Sequence, residues 1–309
     1  MLECVEVIDA MKIGFLGNTN NYPFMLARAF RALGHDVSFI VSSSSQLDRP
    51  EYRYPDIYLP YPDWIYDVGN VRLRDIVIGV SPALDQIQSL LNDCDAVIAN
   101  GYGPAFLPRL KKPSIALLTG SDLYAHATLD SFIKGSIQHH KLHPLVRILT
   151  NQLYITRLAI PQREGIKSSS GVVYFPRGVL PSSDLILDEM GISDNNRIFN
   201  AMTDIEEFSY APPPCNEIMR IFCGSRLSWS SLKPEHAKET VDYKGAEIMI
   251  KGIADFIKKN KVDLKIILVN KGLHVKETMQ LADSLEIGNY IELLEEMTQS
   301  EVRNQFHMA

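Results

Sequence analysis

Short apolar runs alternate with stretches of helical period along most of the chain. Lys12–Leu16 reads as a buried strand, and Gly17 to Pro23 as a turn. Residues 24–33 place Leu26, Ala29, Phe30 and Leu33 on one helical face, with Gly34 in C-cap position. A second apolar strand follows at 37–41, which completes a strand–helix–parallel strand unit. Residues 42–70, rich in Ser, Pro, Tyr and Asp, read as an irregular excursion. The alternation resumes with a helix at 84–91 and strands at Ala96–Ala99, 114–118 and 172–175. Residues 200–214 have linker composition, and Pro212-Pro213-Pro214 continues neither a helix nor a central strand. A second run then predicts strands at 218–222, Leu264–Val269 and 290–293, with helices at 246–258, 275–285 and 298–308.

Continuous rather than alternating apolar strands predict an α/β fold, with doubly wound parallel sheets covered on both faces. Ligands are expected outside the carboxyl ends of the strands. The expected organisation is an extension at 1–10, a Rossmann-like domain at 11–205, a linker at 206–216 and a second Rossmann-like domain at 217–309. Three strand–helix units are fewer than the five or six of a doubly wound domain, so the second domain is expected to be incomplete and looser than the first. Met11, before Lys12, is a second candidate start.

Composition adds mainly exclusions. A net charge of -6 argues against a general nucleic-acid binder. Cys4, Cys94, Cys215 and Cys223 form no C-x-x-C pair, which points to free thiols in a reducing compartment rather than a zinc site or disulfide framework. No apolar run reaches membrane-spanning length, and residues 1–10 do not form a signal peptide. A cytoplasmic protein, free or at the inner face of the membrane, is the expectation. Seven basic residues (Lys134, Lys141, Arg147, Arg157, Arg163, Lys167, Arg177) face only Glu164 within residues 131–183. Together with the stripe Leu142, Leu145, Val146, Leu149 and Leu153, they read as an ordinary amphipathic helix with a solvated face or as a peripheral contact with an anionic membrane or lipid-phosphate acceptor.

The candidate chemistry sits at strand ends. The first turn is not G-x-G-x-x-G, and the strand at 37–41 ends in serines without an acid to hold a ribose, both against a nicotinamide-binding domain. Gly17 and Asn18 are either plain turn residues or lining of an interdomain cleft. Gly120, Ser121 and Asp122 follow a strand; Gly120 and Ser121 are assigned to the cleft lining, Asp122 is a candidate catalytic residue, Ser121 or Asp122 is alternatively an N-cap, and His126, four residues on, is a candidate for proton transfer or a structural histidine. His139, His140 and His143 read as a solvated turn, not a metal site. Arg226 follows a strand, and Lys244-Gly245 opens a helix whose N-terminus adds amide donors, a candidate diphosphate site. Gly272 ends the next strand and is assigned to the cleft lining.

The order of these pieces resembles the retaining glycosyltransferases of family 4, which have the GT-B fold of two Rossmann-like domains. The resemblance covers nearly all of residues 11–309. It rests on MKIGFLGNTNNYP, ARAFRALGHDVSFIV and LTGSDLY, then on PRGV and NAMTDIEEF, then on CGSRLSW, DYKGAEIMIKGIADF, KIILVNKG and YIELLEEMTQSEV. It implies a nucleotide-diphosphate sugar as donor, a glycan or lipid-linked acceptor, surface-polysaccharide assembly in a bacterium, no metal and no cofactor. Arg226 and Lys244 match the family's basic pair, here with an insert between them. The family's paired glutamates and closing helix have no counterpart before Ala309. A truncated product or fragment, inactive as it stands, is therefore expected. The alternatives are a catalytically dead nucleotide- or glycan-binding remnant and, more distantly, a nicotinamide-dependent enzyme.

Overall fold

The computed structural model describes residues 9–124, 126–127, 144–199, 208–212, 218–227, 245–272 and 274–309. The chain divides into two compact units, Met1–Met202 and Thr203–Ala309.

The first unit is built on seven strands: β1 (Lys12–Leu16), β2 (Asp36–Val41), β3 (Ile65–Asp67), β4 (Ala96–Ala99), β5 (Ser114–Leu117), β6 (Gly171–Val173) and β7 (Arg197–Ile198). They lie in the order β3-β2-β1-β4-β5-β6-β7, all parallel. The helices are α1 (Tyr22–Ala32), α2 (Leu73–Ile78), α3 (Pro82–Asn92), α4 (Leu107–Leu110), α5 (Ser121–Tyr124), α6 (Pro144–Tyr154), α7 (Ile160–Ser168) and α8 (Pro181–Glu189). Successive residues of a strand point to opposite faces, and here both faces are covered. Phe15 and Phe39 pack with Phe24 and Trp64 on one side, while Leu16 and Ile40 pack with Ile87, Leu91 and Leu158 on the other. The direction of winding reverses between β1 and β4, where Ile13 pairs with both Val37 and Ala96. In a doubly wound sheet that reversal opens a crevice at the carboxyl ends of the two strands.

The excursion after β2 is more ordered than its composition suggests. It contains β3, which adds to the sheet edge by pairing Phe39 with Ile65. Arg49 pins the rest. Its Nε donates to Glu51 Oε1 at 2.6 Å and its Nη2 to Asp67 Oδ2 at 2.7 Å and the Tyr61 hydroxyl at 3.0 Å. The Tyr61 hydroxyl in turn donates to Glu51 Oε2 at 2.5 Å. Burial acts to raise the Glu51 carboxyl, but the hydrogen bonds from Arg49 and Tyr61 prevail and hold it below its ordinary value of 4.5. A depressed carboxylate stabilises the fold above its unfolded pKa, and that contribution disappears as pH falls through the folded value. Arg49→Met should therefore cost about 2–3 kcal/mol at pH 7, below the range for a fully buried pair because Asp67 is partly exposed. Urea denaturation at pH 7 and at pH 3.5 checks this. The loss should shrink at the lower pH, and an equal loss at both would show that the ion pairs do not hold the excursion.

The second unit contains β8 (Met219–Cys223), β9 (Leu264–Val269) and β10 (Ile291–Leu294), parallel in the order β10-β9-β8. Its helices are α9 (Ala246–Asn260), α10 (Val275–Ser284) and α11 (Gln299–Met308). Ile250, Ile253, Ile266, Leu268 and Ala282 form its core, with Ile221 and Cys223 packed against it. Phe222, on the opposite face of β8, meets the Phe306 ring of α11 edge-on at 5.0 Å. Thr298 starts α11 as a capping box with Glu301. Among the described residues, no helix is long and apolar enough to cross a membrane.

Candidate functional site

In the first unit the loops after β1, β4 and β5 meet at the reversal point. Gly17 has φ of 89°, and a Cβ there would fall 2.2 Å from the Asn100 carbonyl oxygen, so only glycine permits the contact. Asn100 is fully buried and ties the three loops together. Its Oδ1 accepts from the Thr19 amide at 2.8 Å. Its Nδ2 donates to Leu117 O at 2.9 Å, Thr119 Oγ1 at 3.2 Å and Asp122 Oδ2 at 3.1 Å. The one signal the sequence carries for Asn100 is its place in an Asn-Gly pair directly after the apolar strand Ala96–Ala99.

Asp122 lies inside the first turn of α5 and is not its N-cap, since the helix starts at Ser121. The carboxylate turns back and accepts from the amides of Thr119 at 2.8 Å and Gly120 at 2.8 Å. It has no exposed surface. Burial pushes its carboxyl up to about 6, against the opposite pull of the Thr119, Gly120 and Gly101 amides. His126 is half-buried, and burial pushes its imidazole down to about 4. The ring is therefore neutral at pH 7. Gly120 carries the Tyr124 ring against it, 3.1 Å from where a Cβ would stand. The Ser121 side chain lies outside the described residues.

Asn18 is spent on turn chemistry. Its Nδ2 donates to Asn21 Oδ1 at 2.7 Å and Asp48 O at 2.8 Å, and its Oδ1 accepts from the Phe24 amide at 3.1 Å. The amides of Asn20 and Asn21 are likewise committed, to Asp48 Oδ1 and Asn18 O. A dinucleotide fold leaves such amides to a pyrophosphate; here they hold the chain to itself.

In the second unit the loops after β8 and β9 are joined. The Leu227 amide donates to Lys271 O at 2.7 Å, and a Cβ on Gly272 would lie 2.3 Å from Leu227 O. Gly272 thus serves close approach between loops. Gly245, with φ of 69°, is the N-cap residue of α9, and Arg226 stands just past β8. Lys244 lies outside the described residues. Past β10, Glu295 Oε1 accepts from Asn270 Nδ2 at 3.0 Å, and Glu296 pairs with Lys271. This carboxylate pair at the carboxyl edge of the sheet was not singled out in the sequence.

The basic stretch is less uncompensated than its sequence count. Arg163 pairs with Glu189 at 3.5 Å, and Arg177 with Asp188 at 2.7 Å and Asp194 at 2.9 Å. These acids lie beyond residue 183, so a count within the segment missed them. The same acids, with Asp184 and Arg197, brace the loop at Gly178, whose amide donates to Asp184 Oδ2 at 2.8 Å. Leu149 and Leu153 of the predicted stripe are exposed, as is Ile148. Residues 128–143, with His139, His140, His143, Lys134 and Lys141, lie outside the described residues, as does the Arg147 side chain. Among the described residues no cluster of three or more His, Cys, Asp or Glu could hold a metal ion.

No protein-family model matches the chain, and no curated protein does. Solved structures do match. Anabaena HepE, determined in complex with UDP and glucose, aligns with a TM-score of 0.51 at 14% identity over 94% of this chain and 70% of its own. Sucrose-phosphate synthase from Thermosynechococcus elongatus gives 0.51 at 10% identity, over 96% and 73%. WaaG, a glycosyltransferase involved in lipopolysaccharide biosynthesis, gives 0.50 at 12% identity, over 97% and 73%. At such identities the likeness is one of fold. That fold is α/β of the GT-B type, built from Rossmann-like parallel sheets, as the sequence predicts.

Proposed function

We propose that the chain is a glycosyltransferase that takes a sugar from a nucleotide-diphosphate donor and passes it to a glycan or lipid-linked acceptor with retention of configuration. The observation that carries this reading is the fold shared with HepE, which was solved with UDP and glucose, together with Arg226 and the N-terminus of α9 at the carboxyl ends of the second sheet. In the reaction the bond between anomeric carbon and phosphate oxygen breaks, its electron pair leaves on the diphosphate, and an acceptor hydroxyl oxygen bonds to the anomeric carbon while its proton passes to the departing diphosphate. Fixed positive charge lowers the barrier to that departure. Arg226, Lys244 and the α9 amides beyond Gly245 supply it in this reading, without a metal or cofactor. Asp122 acts as a positioning residue, because its carboxylate is enclosed by its own loop. A neutral His126 suits hydrogen bonding to hydroxyl groups better than carrying charge. The exposed Ile148, Leu149 and Leu153 favour an amphiphilic acceptor or a membrane-proximal one.

Calorimetric titration with UDP, GDP and NAD tests the reading. A nucleoside diphosphate should bind and NAD should not; NAD binding alone would overturn it. Lys244→Ala should weaken nucleoside diphosphate binding by roughly 1.5–3 kcal/mol while leaving nucleoside binding nearly unchanged. Equal losses for both would remove Lys244 from the phosphate. Binding without turnover of any nucleotide sugar would favour a catalytically silent nucleotide binder.

A further inference from the structure

Helix α7 packs against the turn Gly103–Phe106 that follows β4. It follows a π-helical turn at Ile155–Ala159, a geometry that frequently marks functional sites. Gln162, on this helix, is fully buried and spends its whole amide on three partners in two segments. Its Oε1 accepts from the Ala105 amide at 3.0 Å. Its Nε2 donates to Gly101 O at 2.7 Å and to Asp122 O at 3.1 Å. Arg163, the next residue, donates from Nη1 to Ala127 O at 3.1 Å and is itself anchored by Glu189. Two adjacent side chains therefore grip the segment that carries His126, one near its start and one at its end. A buried amide with each of these groups paired fixes geometry, because displacing any partner strands a polar group without water.

We infer that Gln162, assisted by Arg163, is the positioning residue for His126 and for the loops after β4 and β5, setting the mouth of the first unit through a side chain that does not reach it. That these loops form a substrate site rests on the transferase reading; that Gln162 sets their geometry does not. Segments freed from this grip let water reach the imidazole, and hydration returns a buried histidine toward its ordinary value.

The test follows the His126 titration by NMR, the resonance being identified by its loss in His126→Gln. Gln162→Leu, which keeps the site filled but removes the three bonds, should raise the His126 pKa by about one unit or more. Leu91→Ala, on α3 and in a different apolar cluster from Leu123 and Ala127, weakens the same unit without removing a contact of residues 121–127 and should leave the titration in place. If Gln162→Leu does not fold, Arg163→Gln removes the grip on Ala127 alone and should shift the titration in the same direction. An unmoved titration in a folded variant, or an equal shift in Leu91→Ala, overturns the inference. Failure of nucleoside diphosphate binding would overturn the transferase reading and leave this one standing.

Discussion

Asp122→Ala is expected to cost the first unit about 3–5 kcal/mol, enough to unfold it if its stability is ordinary. The substitution does not merely remove a carboxylate. It leaves the amides of Thr119 and Gly120 and the Asn100 Nδ2 without this buried acceptor. Each stranded donor costs about 1–3 kcal/mol. Asp122→Asn retains one oxygen for the amides and should cost less, with a characteristic pH dependence. The folded carboxyl titrates at about 6 rather than 3.8, so the folded state holds its proton more tightly. That contribution is complete below the unfolded value and is lost as pH rises through the folded one. The loss in Asp122→Asn should therefore be larger at pH 4 than at pH 7, by roughly 2 kcal/mol, because pH 4 already lies just above the unfolded value. Urea denaturation followed by circular dichroism at the two pH values measures it. No pH dependence would mean that the amide donors fully offset the burial.

Gly165→Ala should be as damaging, for a different reason. In most helices this change stabilises, by up to about 1 kcal/mol. Here a Cβ would lie 1.8 Å from Pro104 O and 2.6 Å from Pro104 C, and both are backbone atoms that no rotamer change can move away. The helix would have to lift from the turn Gly103–Phe106. Gln162, one turn earlier, would lose its bond to Ala105 as it did so. A cost of about 3 kcal/mol or more follows. Gly252→Ala in α9 is the matched comparison, since nothing lies within 4 Å of its Cβ. Thermal melts should show opposite signs for the two substitutions, and a stabilised Gly165→Ala would contradict the close approach.

The contrast between what the chain spells out and what it hides has a physical origin. Strands buried on both faces read as near-continuous apolar runs, so Lys12–Leu16, Ala96–Ala99 and Leu264–Val269 are legible with their bounds. Edge strands need no such run: β3 and β7, of three and two residues, left no signal. The excursion 42–70 looked irregular because a clamp of charged residues, not a periodic apolar face, holds it. Asn100 and Gln162 were not singled out because their partners lie up to 81 and 61 residues away. A side chain that bonds at such range has no spacing to betray it. Asp122 was found for its place after a strand, but its burial, which decides its role, depends on helices elsewhere in the chain.

The knot at Asn100 bears on how this protein can be altered. Loops at the mouth of a Rossmann-like sheet are usually treated as interchangeable parts, each open to grafting while the scaffold stays constant. In this unit Thr19, Thr119 and Asp122 all bond to the same amide side chain, and Gly17 rests on the backbone that carries it. A transplanted loop would have to reproduce its bond to Asn100 before it could contribute anything new. Redesign of this face therefore has two practical routes: exchange the three loops together as one cassette, or keep all three and vary only side chains that take no part in the knot.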